Sequence, residues 1–251
     1  MTQKNPNTYT LDLDLWPFHL DLKGEYPLGQ VVSRMIHVAG EHATYYGYGI
    51  QRLMEQGATW VLSRMSIRFV RPITTELPLS ITTGVTDWSG ISTDRVITLE
   101  QNHQKCAIAL TKWIAIDLEE RAPLPIETIL TDPSLRSTFS QYELPAIPRR
   151  LIENTDKALL QHRYTHRVRY SDLDINTHVN STVWVNIAMD ALPIERITNF
   201  QIQEAHLRFS REAKLGDELS VSHFSRGLMD YIQVTCQHYE CFQLALLWKE
   251  N

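Results

Sequence analysis

One pattern occurs twice in this chain, and that repetition constrains its fold more than any other feature. Ser66-Ile67-Arg68-Phe69-Val70-Arg71 returns as His206-Leu207-Arg208-Phe209-Ser210-Arg211, and Leu79-Ser80-Ile81 returns at the same offset as Leu219-Ser220-Val221. Ser89-Gly90 then matches Arg226-Gly227, and Cys106 precedes Trp113 by the spacing that separates Cys241 from Trp248. The offset shrinks along the chain, as turns of unequal length require. Matches in the same order mark one supersecondary unit used twice. A chain of 251 residues has room for two cores, one per copy.

Each copy reads as a helix followed by strands. Leu28, Val31, Val32, Met35, Ile36, Ala39 and Ala43 recur at helical spacing, and Gly47 and Gly49 can end that helix. In the second copy Val183, Trp184, Val185, Ile187, Ala188, Met189, Ala191 and Leu192 leave little polar face, which predicts a buried helix stopped by Pro193. Met65, Ile67 and Phe69 alternate with Arg64, Ser66 and Arg68, as Leu207 and Phe209 do with His206, Arg208 and Ser210. That period of two belongs to a strand with one face in the core. Further strands are expected over 77–85, 93–101 and 106–117, with counterparts over 218–223, 231–238 and 242–248. A meander must cover its apolar face, and a sheet curled around one buried helix does so. The expected fold class is therefore α+β, with two tandem hotdog units, each an antiparallel sheet wrapped around a central helix. Between them, over roughly 119–161, the periodicity fails and Pro123, Pro125, Pro133, Pro145 and Pro148 accumulate, indicating a linker with a short helix. The expected boundaries are an N-terminal unit over 1–130, a linker over 131–160 and a C-terminal unit over 161–251.

The net charge of −5 argues against a general nucleic-acid binder. Cys106, Cys236 and Cys241 have neither metal spacing nor the even count of a disulfide framework, which fits a reducing cytoplasm. Residues 1–6 are polar rather than signal-like, and no apolar run reaches membrane-spanning length, so neither membrane nor nucleic acid is expected as a partner.

The segment richest in chemistry is Tyr170-Ser171-Asp172-Leu173-Asp174-Ile175-Asn176-Thr177-His178-Val179-Asn180, directly before the apolar helix of the second copy. Its short polar residues can cap a helix start, but a cap uses only one or two of them. A calcium loop could open with Asp172, Asp174 and Asn176, yet Thr177 and Val183 stand where it needs glycine and glutamate. No second histidine lies nearby at ligand spacing, so neither a metal nor a cofactor is expected.

This segment, with the aromatic residue of the following helix and its stop at Pro193, resembles the motif of the acyl-ACP thioesterases of plants and bacteria. The family's second motif, an Arg-Glu pair, stands here as Arg211-Glu212, and Trp60 with the strand over 64–71 resembles the family's N-terminal half. The resemblance covers nearly the whole chain. It implies hydrolysis of fatty acyl-[acyl carrier protein] thioesters, releasing free fatty acid and ending fatty acid synthesis, with Asp174, Asn176, His178 and Glu212 as the catalytic set. Plant members often carry cysteine after this glutamate; here Ala213 stands there, so a cysteine–histidine mechanism is not expected. The repeat points to the same half independently. Pro72 occupies the position of Glu212 in the first copy, and residues 174–178 have no counterpart before the first helix.

Within that reading Glu212 acts as general base on water or as nucleophile, and His178 orients the water or shares its proton. Asn176 positions the base or bonds the carbonyl, and Asp174 holds the loop or His178. The backbone N–H groups of Val179 and Asn180, at a helix start, are candidate oxyanion donors. Met35, Trp60, Leu62 and Met65 are candidates for the acyl tunnel wall in the first copy, though each also reads as core. The resemblance implies an acidic carrier protein as partner, and Arg149, Arg150, Lys157, Arg163, Arg167 and Arg169 form either its docking patch or a solvated basic face. Other readings are an acyl-CoA thioesterase, a 3-hydroxyacyl-thioester dehydratase of hotdog type, or a non-catalytic acyl-thioester binding module. The chain is expected to be a monomer or a homodimer. His37, His42, His103 and His238 form no recognisable constellation, and Tyr45, Tyr46 and Tyr48 are expected to pack the end of the first helix.

Overall fold

The computed structural model describes residues 7–75, 77–139 and 142–250, so the polar stretch 1–6 lies outside the described residues. The chain divides into two units, one of residues 1–19 and 34–147 and one of residues 20–33 and 148–251. The first holds strand β1 (Tyr9–Leu13), most of helix α1 (Leu28–Tyr45), helix α2 (Ile50–Met54) and strands β2 (Ala58–Phe69), β3 (Leu79–Ser89), β4 (Ser92–Gln101) and β5 (Gln104–Asp117). The second holds strand β6 (Gln161–Arg167), helices α3 (Ser181–Met189) and α4 (Ile194–Asn199), and strands β7 (Phe200–Phe209), β8 (Glu218–Arg226), β9 (Met229–Cys236) and β10 (Tyr239–Glu250).

The sequence repeat is a structural repeat. The first unit's strands run in the order β1-β3-β4-β5-β2, all antiparallel. In the second unit the order is β6-β8-β9-β10-β7, again antiparallel, so each strand takes the place of its counterpart. Individual bonds are duplicated too. Val70 and Arg71 donate their N–H groups to the Cys106 carbonyl, as Ser210 and Arg211 do to the Cys241 carbonyl. The matched turns place Gly90 at φ 58° and Gly227 at φ 60°, a left-handed conformation that glycine adopts without the Cβ clash.

The expected apolar stripe of α1 is buried at Leu28, Val31, Val32, Met35, Ala39 and Ala43 and half-buried at Ile36. Gly47 ends this helix in a Schellman motif: its N–H donates to the Thr44 carbonyl, and that of Tyr48 to the Ala43 carbonyl. Gly49 instead precedes α2, where a Cβ would lie 2.5 Å from Thr44 Oγ1. In α3, Trp184, Val185, Ile187 and Ala188 are buried, and Trp184 stacks on Phe242. This helix closes at Met189, and Pro193 does not stop it but begins α4. The strands outrun the apolar runs because hairpin ends are polar yet still paired. The linker contains one-turn 3-10 helices at Ile126–Thr128, Pro133–Leu135 and Lys157–Leu159. Among the described residues, no helix is long and apolar enough to cross a membrane.

A buried polar cluster ties α4 to the second sheet. His223 Nε2 lies 2.7 Å from Asp230 Oδ1, the Ser225 hydroxyl donates to the same oxygen, and Arg196 Nε lies 2.9 Å from Oδ2. Burial pushes the Asp230 carboxyl upward, but the bonds from His223 and Ser225 and the Arg196 and His223 charges outweigh it and hold it below its ordinary value. A depressed carboxyl contributes stability above its unfolded value, which is lost as pH falls through the folded one. We therefore expect the second unit to weaken progressively below about pH 4. Asp230→Asn flattens that acid limb and removes roughly 2 kcal/mol at neutral pH, since it strips the half-buried Arg196 cation of its partner. Urea unfolding at a series of pH values checks both; an unchanged acid limb in Asp230→Asn refutes the assignment.

Candidate active site

The site is built on the loop between β6 and α3. A 3-10 turn at Tyr170–Asp172 opens it. Asp172, 9% exposed, accepts the Arg169 N–H and His166 Nε2 on one carboxylate oxygen, each at 2.8 Å. Leu173 and Val179 then pair across an antiparallel bridge, pinching the intervening residues into a tight loop. Inside it, Asp174 Oδ1 accepts the N–H of Asn176 at 2.8 Å and that of His178 at 3.4 Å, while Asp174 N–H donates to the His178 carbonyl at 2.9 Å. A short carboxylate bonding amides further along the chain is the Asx-turn chemistry of this residue type. Thr177 takes φ 64°, unfavourable for a β-branched residue, and such strain gathers at functional sites. Asn180 closes the loop as the N-cap of α3, its Oδ1 accepting the Thr182 N–H at 2.9 Å.

Two contacts join this loop to the extended segment after β7. The Val179 N–H donates to the Ala213 carbonyl at 2.9 Å, and His178 forms a bridge with Lys214. They set His178 beside Glu212, with Nε2 3.2 Å from Oε2. The imidazole is mostly enclosed, with its side chain 18% exposed, and the carboxylate is open to water at 39%. An imidazole touching a solvent-reached carboxylate can exchange a proton with it and hold a water between donor and acceptor.

Of the four expected catalytic residues, His178 and Glu212 are in contact, Asp174 braces the loop backbone, and Asn176 is exposed at the loop tip. The Val179 and Asn180 N–H groups, expected at an oxyanion, already donate to the Ala213 and Asp172 carbonyls. The loop's closure engages both donors internally. Met35, Leu62 and Met65 are buried in the first unit, and Trp60 is half-buried with its indole N–H on the Tyr48 carbonyl at 2.8 Å. Arg150 is exposed and pairs with Glu153, Arg149 and Arg167 are exposed, and Arg163 turns its guanidinium to His223 Nδ1 at 3.0 Å. Arg211 lies over the Tyr239 ring, 4.1 Å from its centroid.

No cysteine is placed to serve as nucleophile. Cys106 is buried, burial pushes the Cys241 thiol up to about 11, and burial with Asp217 raises that of Cys236. The reactive form is the thiolate, which these settings suppress at Cys236 and Cys241. Among the described residues, no group of three or more His, Cys, Asp or Glu side chains could hold a metal ion. Sequence reading missed the His166–Asp172 brace. Its signal was available in β6, where Tyr164 and His166 alternate with exposed neighbours.

Residues 6–133 match the N-terminal domain of the acyl-ACP thioesterases, and residues 154–244 match their C-terminal domain. The chain is similar to the crystal structure of an acyl-ACP thioesterase from Bacteroides thetaiotaomicron, with 26% identity, a TM-score of 0.85, and coverage of 97% of this chain and 98% of that one. It shares its fold with the 12:0-ACP thioesterase of Umbellularia californica at 14% identity and TM-score 0.81, covering 99% of this chain and 100% of that one. No curated protein matches the chain in sequence.

The loop geometry makes a specific demand of Asp174. Asp174→Asn keeps an acceptor at Oδ1 and is expected to preserve the loop. Asp174→Ala removes bonds worth about 1 kcal/mol each, which speeds amide hydrogen exchange at Asn176 and His178 roughly fivefold or more. Exchange followed by NMR decides the matter: equal rates in the two variants contradict the bracing role.

Proposed function

Because this chain belongs to the acyl-ACP thioesterase family and hydrolyses fatty acyl-ACP thioesters, we propose that Glu212 is its general base and His178 the partner of that base. The observation that carries this reading is the 3.2 Å contact between His178 Nε2 and Glu212 Oε2. It occurs in the second unit, whereas the first has Pro72 at the position of Glu212. The partial exposure of the Glu212 side chain favours activation of water over direct attack.

In this mechanism a water bound at Glu212 gives up a proton to the carboxylate as its oxygen attacks the thioester carbonyl carbon. His178 orients Glu212 and shares the proton. The Asn176 amide, exposed at the loop tip, donates to the developing oxyanion in place of the engaged Val179 and Asn180 N–H groups. Collapse of the tetrahedral adduct breaks the C–S bond, and the proton held between Glu212 and His178 passes to the sulfur. The products are a free fatty acid and the carrier thiol. Asp174 acts through the loop.

The division of labour we propose gives residues 161–251 the chemistry, residues 131–160 the connection, and residues 1–130 the acyl chain. Met35, Leu62, Met65 and Trp60 supply the apolar wall; their burial in the first unit supports this. Arg149, Arg150 and Arg167 offer exposed charge to an acidic carrier protein, and Arg163 contributes less because it is turned to His223.

Glu212→Gln is expected to lower thiol release from acyl carrier substrates by about 10²–10⁴-fold, and His178→Ala by a similar factor, with both variants folded. Activity of Glu212→Gln within a few-fold of native would remove Glu212 from the chemistry. Carrier docking through exposed charge also predicts that KM for the carrier substrate rises as salt goes well beyond about 0.1 M, where the screening length shrinks below about 10 Å. A salt-independent KM that also ignores Arg150→Glu rules out this docking surface.

A further inference from the structure

Among the described residues, one buried cation of the first unit lacks a counter-charge. Arg95 of β4 is 4% exposed. Its guanidinium meets the Thr83 hydroxyl at 3.4 Å and the Tyr48 hydroxyl. Among the described residues, no carboxylate lies within ion-pair distance of it. Tyr48 Oη in turn lies 2.8 Å from His42 Nδ1, and His42 Nε2 lies 3.1 Å from the Asn7 carbonyl. A ring nitrogen facing a carbonyl must carry the proton, so Nδ1 accepts from the Tyr48 hydroxyl. Burial, followed by the Arg95 charge, pushes His42 down to about 3, which keeps the ring neutral. Among the described residues, the cluster therefore carries one positive charge and no negative one.

Charge out of water is unfavourable unless it is paired, and a guanidinium stays protonated where a lysine would neutralise. Its planar fork of N–H donors matches the two oxygens of a carboxylate. Tyr48 joins this cation to an apolar cluster: it packs with Ala43, Leu53, Val85, Trp88 and Ala115, and its carbonyl holds the Trp60 indole. A single cation within an apolar cluster suits an amphipathic anion.

We propose that Arg95, with Tyr48, seats a carboxylate at the end of an alkyl chain inside the first unit. The carboxylate has two possible sources: the free fatty acid that the reaction releases, entering head first, or an acyl chain carrying a second carboxyl at its far end. The second source rests on the reading that this unit holds the acyl chain; the first needs only the cluster itself.

The test is calorimetric titration of the full chain with decanoate and with decanol. Decanoate should bind at least tenfold more tightly than decanol, and Arg95→Met should erase that difference. Tyr48→Phe, which keeps the ring and the carbonyl held by Trp60, should weaken decanoate severalfold and keeps the test open should Arg95→Met not fold. Glu212→Gln should bind decanoate like the native chain while losing thiol release, so failure of the catalytic assignment remains distinguishable from failure of this site. Thiol release then separates the sources. Preference for a carrier-bound half-thioester of decanedioic acid over the decanoyl ester, lost in Arg95→Met or Tyr48→Phe, identifies the substrate's far end. Inhibition by decanoate without that preference, relieved in the same variants, identifies the product. Equal binding of decanoate and decanol, or decanoate affinity unchanged in the folded variants, overturns the proposal.

Discussion

A single backbone hydrogen bond, from the Val179 N–H to the Ala213 carbonyl, carries much of what the second unit can do. It fastens the loop before α3 to the segment after β7, and the neighbouring His178–Lys214 bridge extends the seam. Backbone pairing is stiff and directional, so side chains projecting from either side of it meet at a set distance. The His178–Glu212 contact is a consequence of that seam. Asp172, Asp174 and Asn180 serve it from the other direction: one anchors the loop's start, one its interior and one its exit into the helix.

Duplication explains why a site of this kind coexists with a unit that lacks it. Strand order, turn glycines and the paired bonds on the Cys106 and Cys241 carbonyls are the same in both units. The difference begins one residue later, where the first unit has Pro72 and the second Glu212. Ile73 and Ala213, the next pair, are both buried, so the backbone path is held alike while the side chain before it changes. The scaffold is retained by packing, and the proposed chemistry depends on one substitution and one loop.

The two buried polar clusters show opposite electrostatic designs. Around Asp230 a carboxylate is balanced by the Arg196 charge, with His223 and Ser225 bonded to its Oδ1, and its effect is to hold α4 on the sheet. Around Arg95 the described partners of the charge are the Thr83 and Tyr48 hydroxyls. A charge-balanced cluster is explained by the fold that contains it; a charge without a counter-charge fits an anion from outside the chain.

Periodicity and repetition determined the tandem units, the stripe of α1, the buried face of α3 and the match of β2, β3, β4 and β5 to β7, β8, β9 and β10, because those features depend on local spacing of apolar side chains. The short elements β1, α2 and α4 were not legible, since five or six residues carry too little period to distinguish them from loops. The motif marked Asp174, Asn176, His178 and Glu212, and the resemblance supplied their chemistry. Only tertiary structure decided that His178 and Glu212 touch, that Asp174 bonds backbone, and that the Val179 and Asn180 donors are engaged. It alone joined His42, Tyr48 and Arg95, which the sequence scatters over two elements and a turn. Contacts between residues far apart along the chain depend on sheet register and loop closure, and local spacing encodes neither.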